Sequence, residues 1–213
     1  MNIYLLSETY HEGVVNLPQI KIDYKDKKLD LTSVEALIFS SKNGVKALDK
    51  INKNWKKIPS YAIGTQTAKT IRDLGGKVEF IAKSSYGDDF AHELTQKLQI
   101  KKTIFIRGKK VLSDLENILK KSGVDIYSEV VYETTCKEKV ALHVKSEKTV
   151  FIFTSPSTVE CFFKNYEWHK NYIAVCIGKV TAKAFKFDIP LHVSPIQTIN
   201  ACIELAKTLI KQN

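Results

Sequence analysis

The chain has 213 residues, of which 44% are hydrophobic and 26% charged, a composition typical of a soluble globular protein with one large or two small domains. No apolar run approaches the ~20 residues that a membrane-spanning helix needs, which argues against an integral membrane protein. The formal net charge of +10 indicates an anionic partner, such as a nucleic acid, a membrane surface or a polyanionic small molecule. A lysine-rich surface that only contacts water explains the charge equally well.

Short apolar segments alternate with segments of helical periodicity along the whole chain. The predicted strands, which are short and rich in β-branched residues, are Ile3–Leu6, Ala36–Phe39, Tyr61–Ile63, Val78–Ile81, Thr103–Ile106, Ile126–Tyr132, Val150–Phe153, Ile173–Ile177 and Leu191–Val193. Helical periodicity is clearest in Phe90–Leu98, Val111–Lys121 and Ile199–Ile210, and glycines at positions 75 and 123 are typical helix ends. This alternation predicts an α/β fold with parallel sheets flanked by helices.

Two stretches of the chain occur twice. Ile38–Val45 recurs as Ile152–Val159, and Ala62–Lys69 recurs as Cys176–Lys183. The offset is 114 in both cases, since 152 minus 38 equals 176 minus 62. Because two separate motifs keep one offset, the sequence predicts two similar lobes.

A weaker similarity precedes each copy of the repeat. Asn2–Leu6 resembles Thr103–Arg107 at an offset of 101, which is 103 minus 2. The predicted helix Val111–Lys121 follows the second of these segments, whereas only Ser7–Gly13 follows the first. The first copy is therefore predicted to have lost most of this helix, which leaves one face of its lobe thinly covered.

Each repeated motif has a turn of small or hydroxyl-bearing residues between an apolar strand and a helix. Backbone N–H groups and the dipole at such a helix N-terminus favour a carboxylate or phosphate, and in parallel sheets these turns lie where ligands bind. Simple capping by the hydroxyls is the alternative, but four turns in two matched pairs on a basic chain favour an anion site. The predicted substrate-binding residues of these turns are Ser41, Lys42, Asn43, Gly64, Thr65, Thr67, Ser155, Gly178, Lys179 and Thr181.

Three further residues are candidates for the site. Arg107 and Gly108 end an apolar strand, where a cation and an accessible backbone suit an anionic group, although an arginine at a sheet edge is an equal alternative. Tyr132 is either a core or hinge aromatic or a phenol that can donate a proton. The sequence lacks Gly-x-x-x-x-Gly-Lys-Ser/Thr and Gly-x-Gly-x-x-Gly motifs and metal-ligand spacings, so we expect neither a nucleotide nor a metal cofactor.

The cysteines indicate a compartment. They are far apart in sequence and form no Cys-x-x-Cys pair: Cys136, Cys161, Cys176 and Cys202. This pattern predicts reduced thiols in the core of a cytoplasmic protein. The first residues also lack the basic segment and cleavage site of a signal peptide, which fits the same location.

In their order and spacing these motifs resemble the uroporphyrinogen-III synthase family over nearly the whole chain from Val14 onward. The segments that carry the resemblance are Phe39–Val45, Ile63–Ala68, Gly108 with Val130–Thr134, Phe153–Ser157, Ile177–Ala182 and Val193–Thr198. The resemblance implies two flavodoxin-like lobes, each a parallel sheet flanked by helices, joined by a two-stranded antiparallel connector. The implied boundaries are 1–16 with 135–213 for lobe one, 31–125 for lobe two, and 17–30 and 126–134 for the connectors.

The resemblance also implies an activity. Enzymes of this family close the linear tetrapyrrole hydroxymethylbilane into uroporphyrinogen III, with inversion of ring D and loss of water, in haem biosynthesis and without a cofactor. The eight carboxylates of that substrate suit a basic chain, and a monomer without nucleic-acid or membrane partners is implied. Tyr132 matches the family's tyrosine near the leaving hydroxyl group and is the implied catalytic residue. Ser41, Ser155, Thr67 and Thr181 match the family's serines and threonines at the site.

The chain departs from the family at its start. A strand ending in Arg-Pro and a full helix are usual there, whereas this chain has Leu5–Thr9, so any contact of that arginine is either missing or supplied by Arg107 or Lys42. The alternative function is a two-lobed binding module for an anionic metabolite, without turnover. A nucleic-acid binder is less favoured, because aromatic and basic residues are not interleaved.

Overall fold

The computed structural model describes residues 2–82, 87–142 and 148–211. The chain divides into a middle unit, Ile22–Thr134, and a terminal unit formed by Met1–Lys21 and Thr135–Asn213. Both units are α/β, with largely parallel sheets and helices packed on both faces, so the predicted fold class is confirmed. None of the helices in the described residues has the length and hydropathy that a membrane crossing requires.

The elements follow the predicted alternation closely. The strands are β1 (Ile3–Leu5), β2 (Val15–Asn16), β3 (Ile20–Tyr24), β4 (Ala36–Phe39), β5 (Ser60–Ala62), β6 (Val78–Ile81), β7 (Thr103–Gly108), β8 (Ile126–Cys136), β9 (Thr149–Phe153), β10 (Tyr172–Cys176) and β11 (Leu191–Val193). The helices are α1 (Lys42–Ile51), α2 (Thr65–Asp73), α3 (Gly87–Leu98), α4 (Leu115–Lys121), α5 (Pro156–Asn165), α6 (Lys179–Ala182) and α7 (Ile199–Lys211), with a 3-10 helix at Lys53–Lys57. Every predicted strand is present; β2 is additional, and β3 lies within the implied connector 17–30.

The two sheets repeat one strand order. The middle sheet runs β3-β8-β7-β4-β5-β6 and the terminal sheet runs β11-β10-β9-β1-β2, so β9, β10 and β11 take the places of β4, β5 and β6. β1 and β2 likewise take the places of β7 and β8. Along β3 and β8, Lys25 N–H donates to Val131 O and Lys137 N–H donates to Gln19 O, both at 2.9 Å. These two strands are antiparallel, because one residue number rises as the other falls.

The strand register corrects one predicted offset. Leu5 is paired with Ile152 and Phe105 is paired with Ile38, and Ile152 corresponds to Ile38 in the repeat. Leu5 therefore corresponds to Phe105, an offset of 100 (105 minus 5), and the predicted offset of 101 is wrong by one residue. Both strands are buried on both faces, so their hydrophobicity does not show which side chain faces which helix layer.

The predicted loss of a helix after β1 is confirmed. Residues 6–14 are all described and contain no helix, whereas α4 occupies the corresponding place after β7. Asn16 stabilises the short loop that remains, because its Nδ2 donates to the carbonyl oxygens of Ser7 and Thr9, both at 2.8 Å. In the middle unit α4 buries Leu115 and Leu119 against the sheet, a layer that the terminal unit lacks at this position.

Each face of each sheet carries its own hydrophobic core. In the middle unit, the face covered by α1 and α2 packs around the fully buried Trp55, which meets the Phe39 ring edge-on at 5.8 Å between ring centroids. We call this group the α1-face cluster; it contains Phe39, Val45, Leu48, Trp55, Ile71, Ile104, Ile106 and Val131, with Tyr127 and Tyr132 packed against it. In the terminal unit, Phe151, Phe153 and Phe162 are the centre of an aromatic core.

The sequence predicted the C-terminal ends of α2 and α4 correctly but placed the start of α4 too early. Gly75 and Gly123 follow α2 and α4 with φ of 83° and 82°, as expected for the left-handed residue that ends a helix. The predicted helix Val111–Lys121, however, begins only at Leu115. The backbone N–H of Asp114 donates to Asp88 Oδ1 at 2.8 Å, and Leu112 is 69% exposed, so the first leucine of the helical spacing lies outside the helix.

The prediction of reduced cysteines is wrong for one pair. Cys136 at the end of β8 and Cys161 in α5 form a disulfide, with their Cα atoms 5.2 Å apart. They lie 25 residues apart in sequence and meet only because α5 packs beside the end of β8. Cys176 and Cys202 are buried and unpaired, as predicted. Burial raises the pKa of the Cys176 thiol to about 12, with a smaller contribution from Cys202, so this thiol stays protonated and unreactive.

Candidate functional site

In the middle unit, the candidate site includes Ser41, which lies between the end of β4 and the start of α1. It is the N-cap of α1, and its Oγ accepts a hydrogen bond from the backbone N–H of Asn43 at 3.1 Å. Lys42 and Asn43 form the first turn of the helix. The first turn of α1 packs against β7. This requires glycine at position 44, because a Cβ there would be 3.2 Å from the carbonyl oxygen of Ile106. The motif that recurs in the sequence therefore fixes a helix N-terminus at the carboxyl end of β4.

Tyr132 reaches Ser41 from β8. The Ser41 side chain lies close enough to the phenol to lower its pKa, and the ring of Tyr132 packs against the α1-face cluster. Burial raises the pKa of the Tyr132 phenol, and the hydrogen bond with Ser41 offsets part of that increase. The phenol is therefore a neutral hydrogen-bond donor at physiological pH. The sequence did not reveal this contact, because 91 residues separate Ser41 from Tyr132 (132 minus 41).

A second turn of the middle unit follows β5. Gly64 precedes α2 with φ of 74°, a left-handed conformation that disfavours residues with a side chain. No side chain among the described residues caps this helix, and a Cβ at Gly64 would meet no atom within 4 Å. Thr65 is the first residue of the helix, and Thr67 is buried. The turn thus presents backbone N–H groups at an open position, as an anion site requires.

The guanidinium group of Arg107 is hydrogen-bonded to residues close to it on and beside β7 and β8. Its Nε donates to Ser128 Oγ at 3.1 Å, and one terminal nitrogen donates to the carbonyl oxygens of Gly108 and Lys109 at 3.1 and 3.3 Å. It lines a cavity of about 250 Å³ together with Lys109, Ser113, Glu116 and Asn117. Arg107 therefore orders the end of β7, and Ser128, which no sequence motif indicates, is part of that arrangement.

The first turn of the terminal unit is capped by its own side chains. Ser155 Oγ accepts from Thr158 N–H at 3.3 Å, and Thr158 Oγ1 accepts from Ser155 N–H at 3.2 Å, so the two residues form a capping box. Pro156 begins the helix. Ser155 corresponds to Ser41 in the repeat, yet here a threonine of the same helix is its partner.

The second turn of the terminal unit follows β10. Gly178 is the N-cap of α6 and has no side-chain cap among the described residues; Lys179 begins the helix, and Thr181 is buried. A Cβ at Gly178 would lie 3.0 Å from Nε2 of Gln197. Gln197 was not selected as a site residue, although its segment Val193–Thr198 was one of those that suggested the family.

The geometry therefore divides the predicted residues between the two units. In the middle unit Ser41, Tyr132 and Gly108 lie together, and the Gly64 turn lies at the end of the neighbouring strand, β5. The terminal unit holds Ser155 and the Gly178 turn at the ends of β9 and β10. The described residues contain no group of His, Cys, Asp or Glu side chains that could hold a metal ion.

These features define the class of protein: an internally duplicated α/β protein with hydroxyl- and glycine-bearing turns at the carboxyl ends of its parallel strands. A family model described as uroporphyrinogen-III synthase HemD matches residues 8–204. The chain belongs to the uroporphyrinogen-III synthase family, and it is a cyclising lyase that functions in haem biosynthesis.

Solved structures support the assignment. A crystal structure of uroporphyrinogen-III synthetase from Helicobacter pylori is 30% identical, over 98% of this chain and 99% of that chain, with a TM-score of 0.81. A mutant uroporphyrinogen III synthase from the extremely thermophilic bacterium Thermus thermophilus is 14% identical, with 99% of each chain covered and a TM-score of 0.61, and shows the same fold. A comparison with curated proteins found no match.

Proposed function

We propose that the protein converts hydroxymethylbilane into uroporphyrinogen III, with inversion of ring D, and that Tyr132 assists the departure of the hydroxyl group. The observation that carries this proposal is the position of the Tyr132 ring, which packs against Gly108 and the α1-face cluster and interacts with Ser41, the N-cap of α1. A phenol is already neutral at physiological pH, and burial, which raises the pKa of Tyr132, keeps it so; its hydroxyl group can therefore donate a hydrogen bond to the leaving oxygen.

The proposed reaction begins with cleavage of the bond between the hydroxymethyl carbon and its oxygen. The pyrrole supplies the electrons, and the oxygen leaves with a proton as water, which gives an electrophilic azafulvene. A substituted carbon of ring D attacks it, and the resulting spiro intermediate reopens and closes with the ring inverted. The protein's main task is to hold the linear tetrapyrrole in a folded conformation, because unassisted closure gives the non-inverted isomer.

The carboxylates of the substrate are proposed to bind at the turns. The helices after Gly64 and Gly178 have no side-chain cap among the described residues, so their first N–H groups are available to an anion. The net charge of +10 favours a polycarboxylate. The proposed binding residues are Ser41, Lys42, Asn43, Gly64, Thr65, Thr67, Arg107, Gly108, Ser155, Gly178, Lys179 and Thr181. Since backbone groups make such contacts, we expect single side-chain deletions in these turns to have mild effects.

The test is anaerobic incubation with freshly made hydroxymethylbilane, followed by separation of isomers I and III. Tyr132→Phe should lower the rate of isomer III formation by about 100-fold without loss of fold, since one proton donor is typically worth that much. Tyr127→Phe is the matched control, because Tyr127 lies on the same strand and packs against the same cluster. It should retain the wild-type rate.

Two outcomes would contradict the proposal. If the wild type yields only isomer I at the spontaneous rate, the chain has no synthase activity and is better described as a binding module for an anionic metabolite. If Tyr132→Phe keeps the full rate and normal isomer ratio, the tyrosine has no catalytic role.

We further propose that the protein acts as a cytoplasmic monomer without nucleic-acid or membrane partners. A small metabolite as substrate supports the absence of macromolecular partners, because catalysis then requires none; the Cys136–Cys161 disulfide removes the support that reduced cysteines would give to a cytoplasmic location. Light scattering during size-exclusion chromatography should give the mass of a single chain, and twice that mass would contradict the proposal.

A further inference from the structure

Gly108 lies directly beside the ring of Tyr132. A Cβ at this position would be 2.8 Å from Cζ, 2.9 Å from Cε2 and 3.1 Å from the hydroxyl oxygen of Tyr132. Two of these distances are shorter than non-bonded carbon atoms tolerate. Any side chain at position 108 would therefore displace the tyrosine ring.

The backbone gives no other reason for a glycine at position 108. Among the described residues, the glycines with positive φ are Gly13, Gly64, Gly75 and Gly123, and Gly108 is not one of them. An alanine could adopt its backbone conformation without strain. The space taken by the Tyr132 ring is thus the structural feature that requires glycine.

An irregularity in the pairing of β7 and β8 brings the ring to this place. Arg107 is paired with Val130, but Gly108 is paired with Tyr132, so Val131 is an extra residue on β8. Consecutive side chains of a regular strand point to opposite faces, and a bulge changes this. As a result, Val131 and Tyr132 both pack into the α1-face cluster, and the phenol points along the face that α1 covers.

Ser41 cannot move together with the Tyr132 ring if that ring is displaced. Ser41 is held as the N-cap of α1 by the hydrogen bond that its Oγ accepts from Asn43. A shift of the Tyr132 ring would move the phenol relative to Ser41 and change where it can donate a hydrogen bond.

We propose that Gly108 is a positioning residue for Tyr132: the absent side chain at position 108 and the extra residue Val131 together hold the phenol at Ser41. Gly108 affects the rate through the tyrosine ring, and this effect is separate from the backbone contact with the substrate proposed above. This inference rests on the proposed role of Tyr132 in the departure of the hydroxyl group.

The test is a double-mutant cycle with Gly108→Ala, Tyr132→Phe and the combined variant, measured as kcat and KM for isomer III formation. Gly108→Ala should lower kcat about tenfold or more with little change in KM, because misplacement of a reacting group costs rate rather than affinity. In the Tyr132→Phe background the same alanine should have little further effect on kcat, since the hydroxyl group that it displaces is already missing.

A stability measurement covers the case in which Gly108→Ala folds poorly. Tyr132→Ala removes the ring, so adding Gly108→Ala to it should leave the thermal midpoint unchanged, whereas Gly108→Ala alone should lower it. An equal fall of the midpoint with and without the ring would overturn the inference.

The kinetic outcomes separate this inference from the proposed function. If Tyr132→Phe loses activity but Gly108→Ala keeps full kcat, the positioning role is refuted and the role of Tyr132 stands. If the two losses multiply in the combined variant, Gly108 acts independently, for example by contacting the substrate, and the inference is refuted. Full activity of Tyr132→Phe would refute the role of the tyrosine and this inference together.

Discussion

Ser41 and Ser155 occupy equivalent positions of the repeat, so their alanine variants form a matched pair. Ser41→Ala removes the hydrogen bond from Asn43 N–H at 3.1 Å, and Ser155→Ala removes the one from Thr158 N–H at 3.3 Å. The loss of an N-cap costs about 1 kcal/mol of the free energy of unfolding in each case. Ser41→Ala also removes the interaction of Ser41 with the partly buried Tyr132 phenol, which costs about 1 kcal/mol more. We therefore expect Ser41→Ala to be about twice as destabilising as Ser155→Ala.

The phenol of Tyr132 provides a second readout. The Ser41 hydrogen bond lowers the pKa of Tyr132, so Ser41→Ala should raise it further above the ordinary value of 10.0. Since the folded-state pKa is raised, the stabilisation by the neutral phenol is fully present below pH 10 and is lost as the pH rises through the folded-state pKa. In Ser41→Ala this loss should extend to higher pH, whereas Ser155→Ala should leave it as in the wild type.

Urea unfolding followed by circular dichroism measures the first effect. Ultraviolet absorbance of the phenolate measures the second, with Tyr132→Phe as the reference that isolates this residue. Equal losses of stability in the two alanine variants, together with an unchanged phenol titration in Ser41→Ala, would refute the hydrogen bond between Tyr132 and Ser41. The proposed place of Tyr132 at the N-terminus of α1 would then be wrong.

Two further predictions concern the stability of each unit. Gly76→Ala should destabilise the middle unit by about 2 kcal/mol, because its Cβ would lie 2.3 Å from the buried ring of Trp55; an unchanged urea midpoint would contradict this. Reduction of the Cys136–Cys161 disulfide, which links residues 25 apart, should cost the terminal unit about 3 kcal/mol. A Cys136→Ser/Cys161→Ser variant should show the same loss without any response to reductant, and a urea midpoint equal to that of the oxidised protein would refute the link.

Much of the fold could be predicted because it depends on local sequence patterns. The nine predicted strands are all present, and the repeat at an offset of 114 places β9 and β10 where β4 and β5 lie in the other sheet. The missing helix after β1 followed from a comparison of segment lengths alone. Family membership followed in the same way, since Gly64, Ser41 and Tyr132 belong to motifs with fixed order and spacing.

The sequence was less informative wherever the answer depends on residues far apart in the chain. The offset between β1 and β7 was wrong by one residue, because a strand buried on both faces has no polar alternation to mark its register. The start of α4 was misplaced because Leu112 completed a helical spacing, while the N–H of Asp114 is taken by Asp88 in α3.

By itself, then, the sequence determined the duplication, the alternation of strands and helices, and the residues of the turns, because each is encoded in a few consecutive positions. Only the tertiary structure decided which of those residues meet. The Cys136–Cys161 disulfide, the contact of Tyr132 with Ser41 and the space at Gly108 all depend on how separate elements pack and on one extra residue in β8. A bulge or a close packing contact is a property of two segments together, and neither segment shows it alone.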